Sequence, residues 1–152
     1  MPFVAAVQTT PDGQPQFMCL RQQPFTAEEV AVFAARSIAP SATVVSDGLW
    51  CFGAVKIVGA EHERVVTGGG KASTELPEFR AVNTVLGNLK RALSGTYHAF
   101  DFAKYAHRYL AEAQYRFNRR FNLSSILARL IRAAVLTIPN PASLIRAAEV
   151  GS

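Results

Sequence analysis

Pro11-Asp12-Gly13 stands between two apolar runs, and this arrangement constrains the fold more than any other stretch of the chain. Pro presets φ for a turn, Asp bonds its own backbone two residues on, and Gly accepts positive φ without a steric cost. Phe3 to Thr10 therefore reads as a strand and Gln16 to Arg21 as its antiparallel return. Thr26-Ala-Glu-Glu29 has capping-box spacing. It should open a helix to about Arg36 with Val30, Phe33 and Ala34 facing inward. Beyond Pro40, Thr43-Val-Val-Ser46 predicts a short buried strand with Asp47-Gly48 at its carboxyl end. Leu49 to Val55 reads as a short helix and Glu63 to Thr67 as a further strand.

The second half is helical. The first helix is predicted from Phe79 to Leu93, with Val82, Val85, Leu86, Leu89 and Leu93 as its apolar stripe and Gly95 as its stop. A second spans about Phe102 to Arg120, with Phe102, Tyr105, Tyr109, Ala113 and Phe117 on one face. A third runs from Ser124 to Thr137, ahead of Pro139, and a short fourth covers Ala142 to Ala148. Strands and helices in this order make a mixed α/β layout, a hairpin feeding a parallel crossover.

The 152 residues suit one compact domain, and 49% hydrophobic residues suffice for a core. Cys19 and Cys51 have neither CxxC nor metal-ligand spacing and read as buried small hydrophobes in a reducing cytoplasm. No basic region precedes an apolar run, so no secretory signal is expected. The most apolar stretch, Ile126 to Ile138, is interrupted by Arg129 and Arg132, which argues against a membrane span. A formal net charge of +5 is compatible with a polyanionic partner.

Three groups of residues could carry chemistry. Asp47 is the first: a carboxylate at the end of a strand faces the crevice where open α/β sheets hold ligands, or caps the helix that follows. Asn83 and Lys90 are the second. They stand seven residues apart on one predicted helix, so both lie on one face about 10 Å apart. That face is either a site or a solvated stripe. Gly87 lies between them, where it could admit a closely approaching backbone or ligand. The third is the basic stretch Lys90, Arg91, Lys104, Arg108, Arg116, Arg119 and Arg120, interleaved with Tyr97, His98 and Tyr115. It suits phosphate contacts and base stacking, or is a solvated face with Arg packed on aromatics. Gly68-Gly-Gly-Lys71 is no phosphate loop, because Ala72 follows the Lys and Val65 replaces the leading Gly. His62, His98 and His107 are too scattered for a zinc site.

Four segments occur together in order: Ser46-Asp-Gly-Leu-Trp-Cys-Phe, Val82-Asn-Thr-Val-Leu-Gly-Asn-Leu-Lys-Arg91, Gly95-Thr-Tyr-His98, and Arg108-Tyr-Leu-Ala-Glu through Tyr115-Arg-Phe-Asn-Arg-Arg120. In this order and spacing they resemble ISXO-type insertion-sequence transposases, DDE-superfamily enzymes with a ribonuclease-H-like core and an Asp-Asp-Asn-Lys catalytic set. The resemblance runs from about Pro2 to Leu130. It implies that Asp47 is the second Asp, Asn83, 36 positions on, the third member, and Lys90 the Lys. It implies Asp47 and Asn83 as ligands of Mg²⁺ (or Mn²⁺), Lys90 as a phosphate contact, and DNA as the partner. A bacterial cytoplasmic, nucleoid-associated location goes with it.

The family's first Asp lies on a strand upstream of the segment that matches Pro2. The expectation is thus a ribonuclease-H-like mixed sheet lacking its first strand over residues 1–121, with a helical C-terminal extension over 122–152. The missing strand would be central and leave two exposed edges, open to pairing with another copy or with a complementing transposase chain. Function is expected to be that of a truncated, inactive transposase; the alternative is a non-catalytic remnant that binds DNA or a partner.

Overall fold

A computed structural model describes residues 2–66, 68, 76–96 and 102–141. The hairpin is formed by β1 (Phe3–Thr9) and β2 (Pro15–Gln22). They pair antiparallel from Phe3↔Gln22 to Gln8↔Phe17, with a register shift after Gln8. The turn closes as its chemistry requires: Gly13 has φ 78°, its N–H donates to the Thr10 carbonyl at 2.8 Å, and the Thr10 N–H donates to the Gln14 carbonyl at 2.9 Å.

Helix α1 (Ala27–Ser37) starts where the capping box places it. Thr26 is extended, and its hydroxyl accepts the Glu29 N–H at 3.3 Å. Strand β3 (Thr43–Ser46) leads into a 3-10 helix, Trp50–Val58, longer and tighter than the expected helix. Strand β4 is Glu61–Arg64 and lies parallel to β3, with Ser46 opposite Arg64. Its position corrects the expected Glu63–Thr67. Glu-His-Glu-Arg has no apolar alternation, so the pattern pointed to Val65 and Val66, whereas ladder pairing with β3 selects the polar residues before them. A 3-10 turn, Pro77–Phe79, precedes α2 (Arg80–Thr96), then come α3 (Phe102–Asn118) and α4 (Ser124–Leu136). Gly95 does not stop α2, which continues through it to Thr96. The expected helix Ala142–Ala148 lies outside the described residues.

Two apolar clusters organise these elements. In one, Met18 and Leu20 of β2 meet Val85, Leu89 and Leu93 of α2 and Leu110 of α3, with Phe3, Ala5 and Val7 packed against them. In the other, Val30 and Ala34 of α1 meet Cys51 and Val55 of the 3-10 helix, bordered by Val44 of β3. Helix α4 contributes no buried residue, and Leu127, Ile131 and Val135 stand exposed along it.

Among the described residues the strands form two separate two-stranded ladders, β1–β2 and β3–β4. The outer edge of β2 is sealed by side chains of α3. The Asn118 amide accepts the Met18 N–H at 2.8 Å and donates to the Met18 carbonyl at 2.9 Å. Gln114 accepts the Leu20 N–H at 2.7 Å, and Arg120 donates to the carbonyls of Gln16 and Pro15 at 3.1 and 2.5 Å. Side-chain amides thus stand where a neighbouring strand would. Because Met18 and Leu20 turn their backbone groups outward, their partners Val7 and Ala5 turn theirs away from β2 as well. The outer edge of β1 therefore presents Ala5 and Val7. By the same alternation, Glu61 and Val65 donating to Ala42 and Ser46 leaves Thr43 and Val45 facing the outer edge of β3.

Candidate functional site at the carboxyl ends of the parallel strands

Asp47 is exposed and follows directly on β3. Its Oδ1 accepts the Leu49 N–H at 3.2 Å, a local turn that fixes one carboxylate oxygen. The N-cap of the 3-10 helix is Leu49, without a side-chain cap bond, so Asp47 does not cap that helix in the usual sense.

Gly48 makes the geometry possible. It has φ +88°, and a Cβ there would stand 2.9 Å from Nε of Arg64 and 3.3 Å from its Cγ. The register sets this contact, since Arg64 is the β4 partner of Ser46. Ser46 is buried, and its hydroxyl lies 2.9 Å from Nε2 of His62. Burial pushes the His62 imidazole below its ordinary pKa, and the charges of Lys56 and Arg64 push it the same way. Burial likewise raises the Cys51 thiol, with the Asp47 carboxylate adding to the rise. The carboxyl ends of β3 and β4 thus bring together the Asp47 turn and Arg64, with His62 reaching the Ser46 hydroxyl beside them.

A His whose pKa falls on folding binds fewer protons folded than unfolded. Its contribution is complete above the unfolded value of about 6.5 and is lost as pH falls below that value, toward the lower folded pKa. Thermal melts between about pH 7.5 and 5.5 are therefore expected to show stability dropping on the acid side, with a shallower drop in His62→Gln. Equal slopes for both proteins would rule out His62 as the titrating group.

Asn83 lies half-buried in the first turn of α2, and Lys90 is exposed two turns later on the same helix. A Cβ at Gly87, between them, would meet nothing within 4 Å, so no other part of the described chain approaches there. Arg91 donates to Asn88 at 2.6 Å.

The basic residues of α3, and Arg119 and Arg120 just after it, have partners within the chain. Arg116 pairs with Glu112 at 3.0 Å, both exposed. Arg119 stacks over Tyr115 at 4.0 Å, while Lys104 and Arg108 lie 5.1 and 5.6 Å from the Tyr105 ring centre. Arg120 is held by the β2 carbonyls and packs on Phe117 and Phe121 at 3.8 and 4.2 Å. It serves the β2 edge, a role its place in a basic run did not suggest. Tyr97 and His98 lie outside the described residues.

Asp47 offers a hard, charged oxygen of the kind Mg²⁺ prefers. Among the described residues, however, no group of three or more His, Cys, Asp or Glu could hold a metal ion. No helix among the described residues is long and apolar enough to cross a membrane.

The sequence profile of the ISXO2-like transposase domain matches residues 1–118, and the chain belongs to that family. Its general function is that of a transposase, DNA is the partner the family implies, and such enzymes generally use a divalent metal. No curated protein and no solved structure matches the chain.

Proposed function

We propose that the chain supplies the second and third members of a DDE-type transposition centre, Asp47 and Asn83, with Lys90 as their phosphate contact. The observation that carries this reading is the place of Asp47: an exposed carboxylate at the carboxyl end of β3, with one oxygen engaged by Leu49, in a chain of transposase sequence. Asn83 and Lys90 share one side of α2, and side chains of Asp47 and Asn83 would meet in one cleft. Asp47 contributes a charged oxygen and Asn83 a neutral amide oxygen. Lys90, a compact point charge, holds a DNA phosphate near them. Mg²⁺ or Mn²⁺, when bound, supplies the charge stabilisation for in-line attack at phosphorus.

The fold that suits this centre is ribonuclease-H-like, with the β1–β2 and β3–β4 ladders on either side of one further strand. The open edges of β1 and β3 support that reading. Beyond it, α4 is a helical extension. One carboxylate and one amide carry too little negative charge to hold two divalent ions close together. Residues 1–152 are therefore expected not to cut DNA alone.

An end-cleavage assay on the element's terminal DNA with Mg²⁺ or Mn²⁺ tests this. The chain alone should leave the DNA intact. Joined to an upstream strand that carries an Asp, it should cut, and Asp47→Ala should return cutting to background. Metal-dependent cutting by residues 1–152 alone, lost in Asp47→Ala, would mean that Asp12, Glu61 or Glu63 completes the site.

A further inference from the structure

Arg64 is the cation nearest the backbone of Asp47-Gly48, and neither composition nor motif spacing singles it out. Its stem lies across Gly48, where a Cβ would come within 2.9 Å of Nε. The parallel register places it there, opposite Ser46, the residue before Asp47. Two separate properties of Gly48 support the arrangement: the positive φ that an L side chain rarely adopts, and the missing Cβ whose space Arg64 fills. Arg64 is exposed, and among the described residues it forms no ion pair. Its Nε thus lies over Gly48, the residue after Asp47, with no carboxylate bound to it.

A site that acts on DNA must bring an anionic phosphodiester next to an anionic carboxylate. At a few ångströms these repel each other, and a cation beside the carboxylate offsets the repulsion. Arg suits the task better than Lys, because its planar fork can donate to two phosphate oxygens at once. Packing against Gly48 restricts the stem, so less side-chain freedom is lost when a phosphate binds.

We propose that Arg64 is a phosphate-binding residue of the Asp47 site, holding a DNA phosphodiester beside Asp47 across Gly48. This rests on the reading of Asp47 as part of the transposition centre.

The test uses the 152-residue chain, a short duplex and inorganic phosphate. Duplex affinity is measured over a range of salt concentrations. Removing a side chain that meets one phosphate lowers the salt slope by about one. Arg64→Ala is expected to lower the slope by about one, Arg64→Lys to keep the slope with weaker binding, and Arg36→Ala, an exposed change on α1, to leave both unchanged. Gly48→Ala keeps every charge but displaces the Arg64 stem; if it folds by circular dichroism, it should resemble Arg64→Ala. The Arg64 Nε–H resonance should shift with duplex and not with inorganic phosphate at matched phosphate concentration. An equal shift with inorganic phosphate would mark a small-anion site and overturn the assignment to DNA. A duplex-binding chain whose slope is the same in Arg64→Ala overturns this inference alone. Failure of Asp47→Ala to affect cutting by the strand-restored protein overturns the catalytic reading instead. Absence of duplex binding at low salt overturns the Arg64 assignment whatever the cutting assay shows.

Discussion

Asn118→Ala is expected to destabilise the chain by about 2–3 kcal/mol, because it leaves two partly buried backbone groups of Met18 without partners. Removing one partner of a buried hydrogen bond costs more than the bond itself contributes, since the remaining group stays desolvated. At about 2–4 °C per kcal/mol for a chain of this size, the melting midpoint should fall by roughly 5–10 °C. Asn118→Leu keeps much of the volume and should be as damaging. Asn118→Asp retains the acceptor for the Met18 N–H but sets a carboxylate oxygen against the Met18 carbonyl, so it should not restore stability. Thermal melts of the three variants decide the matter. A midpoint unchanged in Asn118→Ala would show that water replaces the amide at no cost and that the β2 edge is not sealed by α3.

Binding to duplex DNA is expected to be without sequence preference and to weaken about 100-fold between roughly 50 and 200 mM salt. The figure corresponds to about four phosphates neutralised, each contributing a slope of about 0.9. Arg64, Lys90, Arg116 and Arg119 are the residues on which it rests. Arg116 pairs with an exposed Glu112, and Arg119 stacks on Tyr115 and donates to its carbonyl at a long 3.4 Å, contacts that a phosphate can replace at little cost. Arg120 is different: its guanidinium already serves Pro15 and Gln16. Arg116→Ala and Arg119→Ala should each lower the salt slope by about one for every sequence, whereas Arg120→Ala should lower the melting midpoint. Fluorescence anisotropy at several salt concentrations measures the first effect. Affinity that ignores salt would mean that these residues do not meet phosphates.

Much of the architecture was legible from local chemistry. Pro11-Asp12-Gly13 and the Thr26 box specify backbone geometry by themselves, so the hairpin and α1 follow from a few residues. The apolar stripe Val85, Leu89, Leu93 likewise located α2 and its buried face. Strand β4 was harder, because Glu61-His-Glu-Arg64 carries no hydrophobic alternation and its place depends on pairing with β3. That displacement hid His62, and the place of Arg64 opposite Ser46 shows only once the register is known. Gly95 misled for a related reason: helix context carries α2 past a residue whose intrinsic preference is to end it. Asp47 was legible as a strand-end carboxylate, and Asn83 and Lys90 as neighbours on a helix face, through motif order. Arg120 and Asn118 looked like parts of a basic run. Their bonds to β2 span about a hundred positions of sequence, and no local pattern reports such a contact.

The amide and guanidinium groups that line β2 also restrict how the hairpin can grow. A ladder that is open on both sides can add units without end. Among the described residues, this one can gain a neighbour at β1 and not at β2. Growth of the sheet is therefore one-directional, with Asn118 and Gln114 acting as stops on the β2 side.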